Sequence, residues 1–198
     1  MITAKEPLLS GKCVLITGGT TPIGTACATL LAYHQALVLI GGEDQKVLDD
    51  TLQLIRKQVP GCSVTGYVAD LTTNKGVEAF FLHARIAFPG IATVVINPLT
   101  NWDSARGAYN TCLHKAADIM RYRKSGDIIM VTDDATKNGS FVTEVDAFRH
   151  EIDGSGINLS LIESADWASA AADKAEAVLG KLAANSTTFN PACPTRQP

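Results

Sequence analysis

The sequence has no long hydrophobic run, no paired cysteines and no excess of basic residues. No apolar stretch approaches the roughly 20 residues that a membrane-spanning helix needs. None of the five cysteines forms a Cys-x-x-Cys pair, which argues against a disulfide framework or a zinc site. The formal net charge of −3 argues against a nucleic-acid partner, because such proteins usually carry a basic face. We therefore expect a cytoplasmic protein that has no metal and binds neither membrane nor nucleic acid.

A regular alternation of apolar runs and amphipathic segments fills most of the chain. Apolar runs closed by glycine or proline predict buried strands, and the segments between them carry apolar residues at helical spacing. The predicted strands are CVLITGG, ALVLIGG, SVTGYVADL, ATVVINP, DIIMVT and INLSLI. Strands that are apolar on both faces and alternate with helices indicate a parallel sheet covered on both sides. The predicted fold class is α/β, with a Rossmann-type doubly wound parallel sheet in three α/β/α layers.

The stretch VLITGGTTPIGTA, residues 14–26, joins the first predicted strand to the first predicted helix through a glycine-rich turn. The two adjacent glycines can take positive φ and turn the chain sharply off the strand. Pro22 suits the first position of a helix, and Gly24 would let that helix pack closely on the sheet. A helix start attracts phosphate through its N–H groups and its dipole, and Thr20 and Thr21 would add hydroxyl donors.

This turn resembles the opening motif Thr-Gly-x-x-x-Gly-x-Gly of the short-chain dehydrogenase/reductase family, read here as TGGTTPIG. Asp70-Leu71-Thr72 is similar to the family segment whose acid contacts the adenine, and Asn97 matches the first Asn of the family's Asn-Asn-Ala-Gly. SGDIIMVTDDA and GSGINLSLI resemble its fifth and sixth strands, so the resemblance covers residues 9–184. It implies a nicotinamide dinucleotide cofactor. The cofactor-binding residues that it implies are Gly18, Thr20, Thr21, Ile23, Gly24, Asp70, Leu71 and Asn97.

Purely structural roles stay open for several of these residues. Gly18 and Gly24 could serve only the turn and the packing of the helix. Asp70 could cap the next helix, and Asn97 could be a turn residue at the end of a strand before Pro98.

The length of the chain favours one domain. We expect residues 1–198 to form a single dinucleotide-binding-like domain, with residues 185–198 as an extended tail.

The choice between NAD and NADP depends on the end of the second strand. Glu43 and Asp44 follow that strand, and Asp44 lies 20 residues after Gly24, near the spacing of a ribose-binding acid. No arginine lies nearby, so NAD is favoured over NADP.

Two residues expected near the cofactor differ from the family pattern. Pro22 replaces the glycine that the pyrophosphate approaches, and Leu99 replaces a small residue.

The family's proton donor is the tyrosine of a Tyr-x-x-x-Lys pair on the helix after the fifth strand. The residues four positions after the four tyrosines are Leu37, Leu71, Leu113 and Gly126, so the pair is absent and we assign no catalytic residue. The family's serine would fall at Asp133. An ungapped alignment places Asp146 and His150 at the Tyr and Lys positions. We prefer a gapped alignment, because residues 133–156 are too few for a full loop, helix and return.

Three hypotheses about function follow. The first is a divergent, shortened family member that binds a dinucleotide or a related nucleotide and has a binding or regulatory role without the usual catalysis. The second is an active NAD(P)-dependent oxidoreductase with other catalytic residues, and the third is a structural subunit that binds no nucleotide. Family members often assemble through the helices after the fourth and fifth strands. Both helices look shortened here, which leaves a homodimer or a hetero-assembly open instead of a family-type tetramer.

Overall fold

The computed structural model describes residues 8–88, 90–97, 102–133, 139–164 and 171–185. The predicted tail falls outside these ranges from residue 186 onward. The strands are β1 (Cys13–Thr17), β2 (Leu37–Gly42), β3 (Val64–Val68), β4 (Ile91–Ile96), β5 (Gly126–Asp133) and β6 (Ile157–Ser164). The helices are α1 (Pro22–Tyr33), α2 (Gln45–Gln58), α3 (Asn74–Ala87), α4 (Trp102–Arg121), α5 (Gly139–Ile152) and α6 (Ala171–Asn185). Every strand predicted from an apolar run is confirmed.

The strands form one parallel sheet in the order β3-β2-β1-β4-β5-β6. Strand β1 lies in the middle, where Ile16 pairs with Ile40 of β2 on one side and with Val95 of β4 on the other. The chain therefore winds outward from β1 in one direction and from β4 in the other. This order confirms the predicted doubly wound Rossmann-type sheet.

Two apolar clusters lie on the two faces of the sheet. Successive strand residues face opposite ways, so Leu15 packs with α3, α4 and α5, whereas Ile16 packs with α1, α2 and α6. Phe80 is among the largest side chains of the first cluster, and Leu31 belongs to the second. Burying such a side chain contributes about 1.5–3 kcal/mol, so both helical layers are held firmly on the sheet.

Helices α1, α2 and α3 all begin at the carboxyl ends of strands, and each begins with a polar N-cap. Thr21, Asp44 and Thr73 each accept a hydrogen bond from the backbone N–H three residues later. Such caps typically stabilise a helix start by about 1 kcal/mol. None of the helices in the described ranges is long and apolar enough to span a bilayer.

A polar contact joins α4, which has 20 residues, to α5, which has 14. Glu144 of α5 forms an ion pair with Arg106 of α4 and accepts a hydrogen bond of 2.6 Å from Asn110. Further along, Arg121 lies 2.5 Å from Glu151. The facing surfaces of these two helices are therefore linked by charged and polar side chains as well as by apolar packing.

Candidate functional site

The carboxyl ends of β1 and β4 lie at the point where the strand order reverses. In open α/β sheets a crevice forms at this position, since the chain leaves the two strands toward opposite sides. The predicted cofactor residues all follow strands at this edge: Gly18 comes after β1, Asp70 after β3 and Asn97 after β4. The fold thus brings residues that are distant in sequence to one edge of the sheet. Their contact with a cofactor stays a prediction.

The turn after β1 is shaped by its glycines. Gly18 has φ of 58°, a left-handed conformation that glycine adopts without strain. The N–H of Gly19 donates to the carbonyl of Gly41 over 2.9 Å, which fixes the turn to the end of β2. A Cβ at Gly24 would overlap the carbonyl oxygen of Gly18. Helix α1 can therefore approach the turn this closely only because residue 24 has no side chain.

Threonine side chains hold the turn and the start of α1 together. The Thr21 hydroxyl donates to the carbonyl of Gly18 over 2.8 Å and accepts from the N–H of Gly24 over 3.0 Å. A hydroxyl has one proton to donate, so the predicted Thr21 hydroxyl donor is already bonded within the turn. Thr25, which the sequence reading missed, donates to the carbonyl of Gly19 over 3.1 Å. The turn is therefore rigid before any ligand binds.

One backbone donor remains at the start of α1. Pro22 has no N–H, and the N–H groups of Gly24 and Thr25 both donate to Thr21. Within the described residues, the N–H of Ile23 has no acceptor. It lies at the positive end of a 12-residue helix, where an anion is favoured.

Asn97 places an unpartnered amide beside this turn. The residue is 1% exposed, and neither Oδ1 nor Nδ2 of its side chain has a hydrogen-bond partner in the described part of the chain. Its backbone N–H donates to the Thr17 hydroxyl over 3.1 Å, which fixes its position across the junction of β1 and β4. Buried polar atoms are nearly always paired, and an unpaired one costs about 1–3 kcal/mol. A polar ligand in the crevice would remove that cost.

A second buried polar atom of this kind lies at the end of β5. The Thr132 hydroxyl is buried and, among the described residues, has no partner. It lies on the same side of β5 as Met130, toward α4 and α5, because strand side chains alternate. The sequence reading treated this residue as part of an apolar strand, and nothing in the pattern marked it.

The segment after β3 has a more local structure than the resemblance implies. The Asp70 carboxylate accepts hydrogen bonds from the Thr72 N–H over 3.0 Å and from the Thr72 hydroxyl over 2.5 Å. Thr73, not Asp70, caps α3. The Leu71 side chain is buried, and a Cβ at Gly41 would lie only 2.6 Å from it. Leu71 can therefore offer a ligand its backbone but not its side chain.

The last residue of β2, Gly42, has no room for a side chain, and two acidic residues follow it. A Cβ at Gly42 would lie 2.6 Å from the methyl group of Thr20, so residue 42 is held close to the turn. Glu43 and Asp44 are exposed immediately beyond it. The Asp44 carboxylate caps α2 by accepting the N–H of Val47 over 2.8 Å.

The alternative catalytic candidates on α5 do not lie in the crevice. Asp146 is exposed, lies 2.9 Å from Arg149, and lines a surface groove along the outer edge of β6. His150 is also exposed. Only the backbone of Asp133 is described, at the end of β5, and Leu99 lies outside the described residues. The ungapped alignment of α5 therefore places no acid or base beside the predicted cofactor.

Burial also makes the Cys27 thiol, in the helix that follows the turn, a poor nucleophile. Burial raises the pKa of the Cys27 thiol in α1 to about 12, although the nearby charge of Lys174 lowers it. Lys174 itself is buried, on the helix that packs against α1. Within the described ranges, no group of three or more His, Cys, Asp or Glu side chains is placed to hold a metal ion.

A sequence model of the short chain dehydrogenase family matches residues 12–145, which include the glycine turn, Asp70, Asn97 and the start of α5. The chain belongs to the short-chain dehydrogenase family. An uncharacterized oxidoreductase, YvaG of Bacillus subtilis, is 32% identical over 89 residues, which cover 45% of this chain and 32% of YvaG. The ketoacyl reductase HetN of Nostoc is 25% identical over 182 residues, covering 78% of this chain and 63% of HetN. The chain thus spans less than two thirds of either relative.

Solved structures of short-chain dehydrogenases have the same fold. A metagenomic short-chain oxidoreductase in complex with NADP superimposes with a TM-score of 0.80 at 21% identity, covering 92% of this chain and 95% of that one. L-sorbose reductase of Gluconobacter frateurii, complexed with NADPH and L-sorbose, gives a TM-score of 0.70 at 20% identity, over 80% and 71% of the two chains. These likenesses show the fold, a nicotinamide-dinucleotide-binding type of α/β sheet.

Proposed function

We propose that this chain binds a nicotinamide dinucleotide in the crevice between β1 and β4, and that it has a binding or regulatory role without the usual catalysis of its family. One observation carries the binding proposal. The N–H of Ile23 and the buried amide of Asn97, neither of which has a partner in the described ranges, flank the same rigid glycine turn. An anion and a polar group on one ligand would satisfy both.

The residues of the crevice fit the parts of such a ligand in order along the sheet edge. The pyrophosphate would lie at the start of α1, against the N–H of Ile23. The adenosine half would extend toward Asp44 and Asp70, and the nicotinamide half toward Asn97 and Thr132. The cofactor, when bound, supplies a hydride donor or acceptor. The chain's own residues bind and orient it, and the bulky apolar sheet beneath excludes water from that side.

We expect this site to favour NAD over NADP. Glu43 and Asp44 are both exposed directly after β2, where the adenosine ribose of a bound dinucleotide would lie. Two carboxylates there would accept hydrogen bonds from ribose hydroxyls but would repel a 2′-phosphate. The NADP and NADPH named with the solved structures are ligands of those proteins, whose identity to this chain is about one residue in five.

The proposal that the usual catalysis is missing rests on the chain's own residues. The sequence contains no Tyr-x-x-x-Lys pair. A tyrosine with an untuned pKa of about 10 is a poor proton donor at neutral pH, so the lysine of the pair matters as much as the tyrosine. Asp146 and His150, the residues that the ungapped alignment would substitute, are exposed on α5 away from the crevice.

A second candidate function is an active oxidoreductase with different catalytic groups. The buried hydroxyl of Thr132 favours it, because this donor has no partner in the part of the chain that the structure describes and lies one residue before the position of the family's serine. Asp133 would then be the residue to examine as an acid or base. Several similar proteins are also named as reductases or dehydrogenases.

Calorimetric titration with NAD, NADH, NADP and NADPH, followed by a turnover assay, separates these functions. We expect saturable binding, tighter for NAD and NADH, and no change in nicotinamide absorbance with a broad panel of carbonyl and alcohol substrates. Turnover that is lost in Asp133→Ala would establish the second candidate instead. Binding of none of the four dinucleotides would contradict both and would favour a structural subunit.

A further inference from the structure

The charged side chains of this chain differ between the two edges of the sheet. At the carboxyl edge, where the crevice lies, the acids Glu43, Asp44 and Asp70 are exposed. At the opposite, amino edge, α2, α3, α4 and α5 end in turns that carry basic side chains, namely Arg56, Lys57, Arg85, Arg121 and Arg149. The formal net charge of −3 is therefore an average over an acidic edge and a more basic one.

The ends of α3 and α4 form one corner of the amino edge. Arg85 lies in the last turn of α3, and Arg123 and Lys124 follow the end of α4. The guanidinium of Arg123 lies 3.0 Å from the position that a Cβ of Gly90 would occupy, so the turn after α4 lies beside the segment after α3. All three bases are exposed, and within the described ranges none of them forms an ion pair.

Two large apolar side chains are exposed among these bases. Ile86 follows Arg85 and is 73% exposed, and Tyr122 precedes Arg123 and is 96% exposed, the two highest values among the large apolar residues that the structure describes. The helix dipole explains why bases lie at helix ends, but water disfavours exposed apolar side chains. We call Arg85, Ile86, Tyr122, Arg123 and Lys124 the amino-edge corner.

We propose that the amino-edge corner docks on the surface of an anionic membrane. An anionic bilayer attracts basic side chains to its headgroups, and apolar and aromatic side chains enter the layer between headgroups and acyl chains. The corner carries both kinds of side chain next to each other. The expectation that the chain binds no membrane rests on the absence of a membrane-spanning segment, and docking on a surface does not require one.

Other anionic partners match only part of the corner. A nucleic acid offers phosphates to the three bases and a stacking surface to Tyr122, but an aliphatic side chain such as Ile86 cannot stack on a base. An acidic protein surface offers carboxylates to the bases but no apolar layer behind them. A bilayer presents its anionic groups and its hydrocarbon in successive layers, which suits bases that surround two apolar side chains.

Docking at the amino edge would leave the crevice open to solution. Helix α3 has 14 residues and begins at the carboxyl edge, so at 1.5 Å per residue its length separates the two edges by about 20 Å. A dinucleotide could therefore enter and leave the crevice while the chain lies on a membrane. Because the two sites are separate, this inference stands or fails independently of the proposed function.

Sedimentation of the full chain with lipid vesicles tests the docking. One set of vesicles contains roughly one-third phosphatidylserine in phosphatidylcholine, and the other contains phosphatidylcholine alone. We expect binding to the anionic vesicles that is about tenfold tighter and is lost at high salt, because salt screens the bases. Arg85→Glu and Arg123→Gln should weaken it by about tenfold and about fivefold, and Ile86→Ser by about threefold.

Matched controls lie near the opposite edge of the sheet. Lys75→Glu reverses an exposed base in the first turn of α3, the same helix that carries Arg85. Val142→Ser removes an apolar side chain that is 47% exposed from the first turn of α5. Neither control should change vesicle binding. Thermal unfolding should show every variant folded, since all of the substituted side chains are exposed.

Three results would overturn the docking. The first is no binding of the natural sequence to anionic vesicles at physiological ionic strength. The second is a loss of binding in Lys75→Glu or Val142→Ser as large as in the variants of the corner. The third is tighter binding to a DNA duplex or to polyglutamate than to the vesicles, weakened by Arg85→Glu but not by Ile86→Ser, which would assign the corner to that class of partner.

Discussion

Gly24 and Gly18 are in contact through backbone atoms alone, and a Cβ on Gly24 would overlap the carbonyl oxygen of Gly18. The same carbonyl accepts the hydroxyl of Thr21, so it cannot move aside without losing a hydrogen bond of 2.8 Å. The first turn of α1 thus rests on the loop that is proposed to hold a pyrophosphate. A change in this contact should alter both the stability of the chain and its affinity for a nucleotide.

We expect Gly24→Ala to lower the free energy of unfolding by about 1–3 kcal/mol, the usual cost of overpacking, and to abolish measurable dinucleotide binding. The matched control is Gly180→Ala in α6, where a Cβ would meet nothing within 4 Å. That substitution should raise stability by about 1 kcal/mol, because alanine favours helix over glycine. Urea unfolding and calorimetric titration of both variants test this, and equal effects at the two positions would contradict it.

Asn97→Leu should separate ligand binding from stability. The buried amide of Asn97 has no partner among the residues that the structure describes, so an apolar side chain of similar size removes an unpaired polar group. We expect thermal unfolding of the ligand-free variant at the same or a higher temperature, and at least tenfold weaker dinucleotide binding. A variant that unfolds earlier yet binds normally would show that Asn97 serves the strand end alone.

Asp44→Asn should relax the preference for NAD over NADP. Asparagine caps helices as well as aspartate does, so the start of α2 should keep its stability within about 0.5 kcal/mol. Removing one carboxylate charge near an exposed phosphate is worth about 1 kcal/mol, which is about fivefold in NADP affinity. Asp50→Asn, an exposed acid further along α2, is the control for charge alone. An unchanged ratio of NAD to NADP affinity would place the ribose elsewhere.

The cysteines should differ sharply in their reaction with iodoacetamide. Burial raises the pKa of Cys27 and of Cys112 to about 12, so at pH 8 on the order of one thiol in ten thousand is a thiolate at either position. Cys62 is partly exposed. We expect peptide mass spectrometry to find Cys62 labelled well before the other two in the native chain, and all three labelled alike in denaturant. Rapid native labelling of Cys27 would mean that α1 opens locally.

Much of this fold could be predicted because strands and helices leave strong local patterns. The run that forms β4 is apolar at every position except Thr93, and the strand is buried throughout. The glycines of the turn were also predictable, since Gly18 and Gly24 stand at fixed distances from the end of an apolar strand. The predictions of strand β4 and of the glycine turn both depend on residues close together in sequence, whose spacing determines the local backbone structure.

The rest of the site depends on contacts between distant segments, which no local pattern encodes. Nothing in the sequence around Lys174 marks it as a buried residue, but the packing of α6 on α1 buries it. Leu71 belongs to a family motif, yet its side chain is buried in the space left by the missing side chain of Gly41. Nothing in the sequence distinguishes Thr132 from any other strand residue, although among the described residues its buried hydroxyl has no partner.

The hydrogen bond between Asn97 and Thr17 joins residues that are 80 positions apart. The chain must close that long loop before β1 and β4 can pair, and non-local pairing of this kind slows folding. The β1–β2 unit can form earlier, because its partners are separated by one short helix. During refolding, fluorescence from a bound reduced nicotinamide should therefore rise after the bulk of the helical signal. The rise in cofactor fluorescence would then mark the last step of folding, in which β1 pairs with β4 and the two halves of the sheet come together.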